Sequence, residues 1–201
     1  MASRTKDRRV APAGRVRIIG GAWRSRLLEF PSADGLRPTP DRVRETVFNW
    51  LAPYLPGAAC LDLFAGSGAF GFEALSRGAE RAVLVENNSA AVAALRANGE
   101  KLAAVTAEIL QADALTYLEG PVDPFDVVFL DPPYTSGLLS ACLREIVARG
   151  WLKPGGFVYL EAREGEMPAL PPGLEMIRSK TAGQVGYHLC RGNNHPAQET
   201  A

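Results

Sequence analysis

The sequence predicts an α/β fold: an open, doubly wound, mostly parallel sheet of seven strands, preceded by a small β-hairpin and helix. Three observations predict it. From residue 59 onward, short apolar runs alternate with helical patterns joined by brief turns. The first of these runs passes directly into a glycine turn, Ala65-Gly-Ser-Gly-Ala-Phe-Gly71. The chain then closes with two consecutive strand-like runs, which makes that last pair an antiparallel hairpin at the sheet edge.

The elements follow in order. Residues 1–13 read as a flexible basic leader, and 14–57 as a hairpin-and-helix extension. In the extension Val16-Arg-Ile-Ile19 and Trp23-Arg-Ser-Arg-Leu-Leu-Glu-Phe30 flank Gly20-Gly21, which suggests two strands joined by a tight turn. Leu36-Arg-Pro-Thr-Pro40 is a loop. Thr39 or Asp41 is placed to cap the next helix, with Pro40 in its first turn. Val43, Val47, Trp50 and Leu51 recur on one face of that helix, which ends at Pro53 and Pro56-Gly57.

Residues 58–192 form the predicted core. Strands are expected at 59–65, 81–86, 107–113, 125–131 and 156–161, and helices at 70–77, 89–100, 114–118 and 138–149. Leu174 to Lys180 and Val185 to Arg191 supply the closing hairpin, turning at Gly183. The polar stretch 193–201 reads as a disordered tail.

With 201 residues, 47% hydrophobic and 22% charged, the chain is long enough to bury a full core, and nothing in it reads as low-complexity. No apolar run approaches the roughly 18 residues of a membrane span, and the basic start lacks the apolar segment of a secretory signal. A cytoplasmic monomer is expected. Cys60, Cys142 and Cys190 are far apart, form no C-x-x-C and sit among apolar neighbours, so they read as buried free thiols. His188 and His195 have no ligand-spaced partners, so no metal site is expected.

Net charge is zero but unevenly spread. Residues 1–50 carry 11 basic and 5 acidic residues, ten of the basic ones arginine, and the remainder is correspondingly acidic. An arginine fork suits phosphate, which makes Arg15, Arg17, Arg24 and Arg26 candidate nucleic-acid contacts. The alternative is a solvated face.

In open α/β sheets ligands bind beyond the carboxyl ends of the strands, at the switch point. Asp62 lies inside the first core strand just before the glycines, and Glu86, Asp113 and Asp131 end the next three. Gly66-x-Gly68-x-x-Gly71 also fits a dinucleotide fingerprint, so a nicotinamide-dependent oxidoreductase has to be weighed. The acidic series favours S-adenosylmethionine instead. Asp62 can serve the ligand's amino-acid end, Glu86 the two ribose hydroxyls and Asp113 the adenine amine. Phe64, Ala65, Gly66, Gly68, Asn87 and Ala114 line the same path.

Asp131-Pro-Pro-Tyr134 ends the fourth strand of the core. Two prolines stiffen the backbone and remove two N–H donors. Asp131, the carbonyls of Pro132 and Pro133, and the Tyr134 ring remain: acceptors plus a stacking plate. An exocyclic base amine needs that set, because its lone pair is conjugated into the ring. Accepting both N–H bonds, through Asp131 and the carbonyl of Pro132, favours a pyramidal nitrogen, and Tyr134 can stack on an extruded base.

These two segments resemble those of class I amino-methyltransferases, whose fold is Rossmann-like. Arg17-Ile-Ile-Gly-Gly-Ala-Trp-Arg24, Leu36-Arg-Pro-Thr39 and Asp41-Arg-Val-Arg-Glu-Thr-Val-Phe-Asn-Trp-Leu51 resemble the bacterial 16S ribosomal RNA guanine-N2-methyltransferase family of the RsmD type. The likeness runs from about Val16 to Arg191. It implies methyl transfer from S-adenosylmethionine to one guanine of 16S rRNA, in a 30S subunit or assembly intermediate. It also implies that Arg37 and Thr39 close over cofactor and base.

Adenine-N6 methylation of a nucleic acid is the alternative within the same chemistry, since guanine comes from the resemblance and not from an identified residue. A nicotinamide-dependent oxidoreductase lacks a proton donor at a plausible site. A catalytically silent RNA-binding assembly factor leaves the Asp131 tetrapeptide without a role.

Overall fold

A computed structural model describes residues 14–31, 39–133 and 137–193. Arg37, Tyr134, His195, the leader 1–13 and all of the tail beyond Asn193 lie outside the described residues.

Two strands, β1 (Gly14–Arg17) and β2 (Leu27–Phe30), form an antiparallel ribbon, and α1 (Asp41–Leu51) follows, ending in a 3₁₀ turn at Ala52–Tyr54. The core then runs β3 (Ala59–Asp62), α2 (Ala69–Ser76), β4 (Arg81–Glu86), α3 (Ser89–Leu102), β5 (Ala107–Gln111), α4 (Ala114–Leu118), β6 (Phe125–Leu130), α5 (Leu138–Arg149), β7 (Leu152–Arg163), β8 (Leu174–Ala182) and β9 (Val185–Gly192). The seven-stranded sheet has the order β5-β4-β3-β6-β7-β9-β8. All pairs are parallel except those made by β9. The strand order reverses between β3 and β6, which is the switch point.

The pleat sorts the residues. Cys60, Leu84, Val127, Phe129 and Tyr159 face one side, under α1, α2, α3 and the N-terminal ribbon. Leu61, Val85, Val128, Leu130 and Leu160 face the other, under α4 and α5. Helices on both faces explain why the central strands are apolar throughout. Val16, Ile18, Leu28 and Phe30 share one apolar cluster with Val47, Phe48, Phe72 and Leu84, so the extension is packed into the first face. Phe70 lies 5.2 Å from Phe129 and 4.9 Å from Tyr159 between ring centroids, a stiff aromatic floor beneath the strand ends.

Two local expectations are corrected. Gly20-Gly21 is not a two-residue hairpin turn. Pairing ends at Arg17↔Leu27, and 18–26 form a longer connection. The connection closes on itself, Ile18 donating to the Arg26 carbonyl at 2.9 Å and Ser25 to the Ile18 carbonyl at 2.8 Å, and its tip bonds to α2. Ile19 and Gly20 donate their N–H groups to the Glu73 carboxylate at 2.7 and 2.8 Å, and Ala22 donates to the Ser76 carbonyl at 2.7 Å. Gly21, at φ 75°, sits so close that a Cβ there would lie 1.7 Å from the Ser76 carbonyl oxygen. Second, neither Thr39 nor Asp41 caps α1. Pro40 occupies the N-cap, one residue before its expected place in the first turn, and makes no side-chain cap bond. The Thr39 hydroxyl is drawn to carboxylates of the sheet instead.

The closing hairpin and the cysteines agree with expectation. The closing hairpin turns at Gly183, at φ 62°. All three cysteines are buried free thiols, and burial pushes Cys60 and Cys142 up to about 12 and Cys190 to about 11. Among the described residues no helix is long and apolar enough to cross a membrane.

Candidate active site

The site is built at the carboxyl ends of β3, β6 and β7. Asp62 is the register partner of Phe129. Asp131 follows two residues later, on the same face of the pleat. Leu130 pairs with Leu160 in the parallel ladder, which sets Asp131 alongside Glu161. All three carboxylates therefore project to the face covered by α1 and α2.

Asp62 is almost fully buried, and its Oδ2 accepts the Gly71 N–H at 2.9 Å, fixing the start of α2 against β3. Burial pushes Asp62 up to about 7; the Gly71 bond opposes this and the Glu86 charge adds to it. For Asp131, burial and then the charges of Glu161 and Asp62 hold the carboxyl well above the usual carboxylate range, against a lowering bond from Thr39. Thr39 Oγ1 donates to Glu161 Oε1 at 2.7 Å and lies 3.5 Å from Asp131 Oδ2. Tyr159 also donates its hydroxyl to Glu161 Oε1, at 2.7 Å.

The glycine turn lies across the switch point. Gly66 and Gly68 have φ of 49° and 77°, and a Cβ on Gly68 would lie 2.6 Å from Leu95 and Phe72 side-chain atoms. Ala65 donates its N–H to the Val85 carbonyl at 2.9 Å, and its carbonyl accepts the Gly68 N–H at 2.6 Å. Glu86 Oε2 accepts the Gly66 N–H at 2.9 Å and Oε1 accepts the Asn88 N–H at 2.8 Å, so this strand-end acid also holds the turn in shape. Phe64 is half-buried against the second apolar cluster. Asn87 is exposed and accepts a long bond from Gln111 at 3.5 Å. Asp113 is exposed and caps α4, accepting the Leu115 and Thr116 N–H groups, while Ala114 is buried behind it.

Thr39 is held in place from below. Arg44, wholly buried in α1, donates from Nε to the Thr39 carbonyl at 3.3 Å and from Nη2 to the Arg17 carbonyl at 2.8 Å and to Asp41 at 2.7 Å. Its Nη1 lies 3.7 Å from buried Glu73. Glu73 also pairs with Arg77 at 2.7 Å.

Sequence reasoning missed Glu161, Arg44 and Glu73. The signal for Glu161 was available, since it lies at the end of an apolar run like Asp62 and Glu86. Arg44 and Glu73 gave none, because a charge inside a helix reads as solvated. Of the four candidate arginines, Arg15 lies 3.8 Å from Glu29, Arg17 pairs with Asp41 at 3.1 Å, and Arg26 bonds the Lys101 carbonyl at 2.8 Å. Arg24 is exposed.

The residues fit S-adenosylmethionine. That ligand carries a sulfonium and an ammonium, and Asp62, buried beside other acids, forms no ion pair among the described residues. Buried acids crowded this way are relieved by a cation. Glu86 and the turn would offer carboxylate oxygen and close backbone to its nucleoside part. No cluster of three or more metal-binding side chains exists among the described residues.

Fold, rim and acceptor segment together define a class I, S-adenosylmethionine-dependent methyltransferase. Residues 16–191 match the family model described as Conserved hypothetical protein 95, and the chain belongs to that family. Ribosomal RNA small subunit methyltransferase D of Escherichia coli K12 is 46% identical over 178 residues, 88% of this chain and 90% of that protein. Its namesake in Haemophilus influenzae is 41% identical over 180 residues, 88% and 93%. A solved Escherichia coli chain described as a methyltransferase superposes with a TM-score of 0.83 at 43% identity, covering 90% of this chain and all of that one.

Proposed function

We propose that this chain transfers a methyl group to the exocyclic N2 amine of a guanine in 16S ribosomal RNA, acting as a cytoplasmic monomer on a 30S subunit or assembly intermediate. The observation that carries the reading is the placement of Asp131 and Glu161 side by side at the switch point, on the face of Asp62. The names of the relatives supply the ribosomal substrate.

S-adenosylmethionine supplies a methyl carbon made electrophilic by its sulfonium. Asp62, Phe64, Ala65, Gly66, Gly68, Glu86, Asn87, Asp113 and Ala114 would hold it, with Arg37 and Thr39 closing over it. Asp131 accepts one N–H of the base amine and the Pro132 carbonyl the other, which frees the nitrogen lone pair from the ring. Asp131 is also the acceptor for the surplus proton left on nitrogen. Pro133 stiffens the segment and Tyr134 stacks on the base. Placement and preorganised acceptors then account for most of the rate.

In this reading 58–192 carries the transfer, and 14–57 presents Arg15, Arg17, Arg24 and Arg26 to phosphates. The leader 1–13 and tail 193–201 lie outside both. The test is tritiated methyl transfer to ribosomal subunits from a strain lacking this gene, followed by nucleoside mass spectrometry. N2-methylguanosine in the small-subunit RNA is expected; N6-methyladenosine, or no transfer, would sink the reading.

A further inference from the structure

Nothing in the sequence distinguishes guanine from adenine as the acceptor, yet the rim holds a group able to do so. A cleft of about 110 Å³ opens beside the acceptor segment, walled by Pro132, Pro133, Leu139, Ala162 and Pro168. Glu161 is the carboxylate in that wall adjacent to Asp131 in the parallel ladder. Ser140, Arg163 and Glu166 also line it, so the cleft combines apolar sides with charged groups of both signs.

Glu161 is only 3% exposed, yet two hydroxyls, from Thr39 and Tyr159, reach its Oε1 at 2.7 Å each. Donors aimed at a carboxylate replace the water it lost and hold its orientation.

Resting on the guanine-N2 reading above, we propose that Glu161 is a specificity-determining residue that accepts the N1–H of the target guanine while Asp131 engages its N2 amine. The pairing follows from the two edges. Guanine presents N1–H and N2–H₂ side by side, two donors for two neighbouring carboxylates. Adenine presents its amine beside N1, which is an acceptor, and a carboxylate opposite N1 has nothing to bond. A site built to bond a donor rejects an analogue lacking it far more strongly than an apolar pocket rejects a small change in size, because the buried acceptor is left unpaired.

The test uses a base that keeps the methyl acceptor and replaces the N1–H donor by an acceptor, with an amine where guanine has O6. 2,6-Diaminopurine carries the N2 amine but has an acceptor at N1. Small subunits are reconstituted with guanine or diaminopurine at the nucleotide mapped by methyl transfer, and kcat/KM is measured for wild type and Glu161→Gln. Wild type is expected to prefer guanine by roughly tenfold or more. Glu161→Gln, whose amide can donate to N1, is expected to narrow or invert that ratio. Equal rates on the two bases in wild type, or a ratio unchanged by Glu161→Gln, would overturn the assignment. If the variant does not fold, equal wild-type rates on the two bases still overturn the assignment. Failure of wild type to methylate guanine at all is a separate outcome, and it removes the N2 reading itself.

Discussion

Thr39 donates its hydroxyl to Glu161 across 2.7 Å, joining the residue ahead of the Pro40 cap of α1 to the end of β7, more than a hundred positions along the chain. The same hydroxyl lies 3.5 Å from Asp131 and holds that carboxyl lower than burial alone would. Thr39→Val removes both effects while keeping the shape. Turnover should fall about ten- to a hundredfold, the cost of a hydrogen bond to a charged group. The acidic limb of the kcat/KM profile should move to higher pH, because Asp131 loses a bond that favours its ionised form. Thr39→Ser should restore both. A Val variant with an unmoved limb would show that the hydroxyl does not bear on Asp131.

Asp131→Ala should abolish methyl transfer and leave S-adenosylmethionine affinity within a few fold, because its proposed partner is the base. Isothermal calorimetry and a methyl-transfer assay on the same preparation separate the two effects. Turnover surviving in the variant refutes the role.

Glu86 has one oxygen on the Gly66 N–H and one on the Asn88 N–H, so it shapes the turn as well as offering acceptors to a ribose. Glu86→Ala should weaken cofactor binding by roughly 1–3 kcal/mol, the value of a buried bond to a charged group. Calorimetry reads this directly, and an unchanged dissociation constant contradicts it.

Asp62 is an acid held up at about 7 from an ordinary 3.8, so between those values the folded chain binds more of its proton than the unfolded chain. Stability of the ligand-free protein therefore falls as pH rises through that window, and is flat in this respect above it. Asp62→Asn should gain on wild type by a few kcal/mol between about pH 4 and about pH 8, at about 1.4 kcal/mol for each unit of displacement. Urea denaturation across that range measures the difference. Parallel curves for the two proteins would mean that Asp62 is not held up.

Glu73 accepts from Ile19, Gly20 and Arg77 and faces Arg44, with no exposure of its own. Removing one partner from a buried charged cluster leaves the other uncompensated. Glu73→Ala should cost about 3–5 kcal/mol by chemical denaturation. A loss below about 1 kcal/mol would show that the arginines find other partners or water.

Much of the architecture was legible because it rests on local periodicity. A short apolar run in Arg81–Glu86 and a helical period in Leu138–Arg149 each appear within one short segment, and glycines such as Gly78 and Gly183 mark turns between elements. The two corrected elements failed for one reason. The backbone at Gly20-Gly21 and the hydroxyl of Thr39 both had plausible local partners in sequence, and both are taken by groups from distant elements, Glu73 in the first case and Glu161 in the second.

The sequence by itself determined the strands and helices of the sheet, its glycine turn and the Pro-Pro segment after Asp131, because each depends on residues that are neighbours along the chain. Only the tertiary structure decided which carboxylates stand together. Strand order and parallel register bring Asp62, Asp131 and Glu161 to one rim, and the burial there raises the cost of their charges. A pairing across that distance leaves no periodic trace, since its energy comes from folding the sheet and not from any stretch of chain.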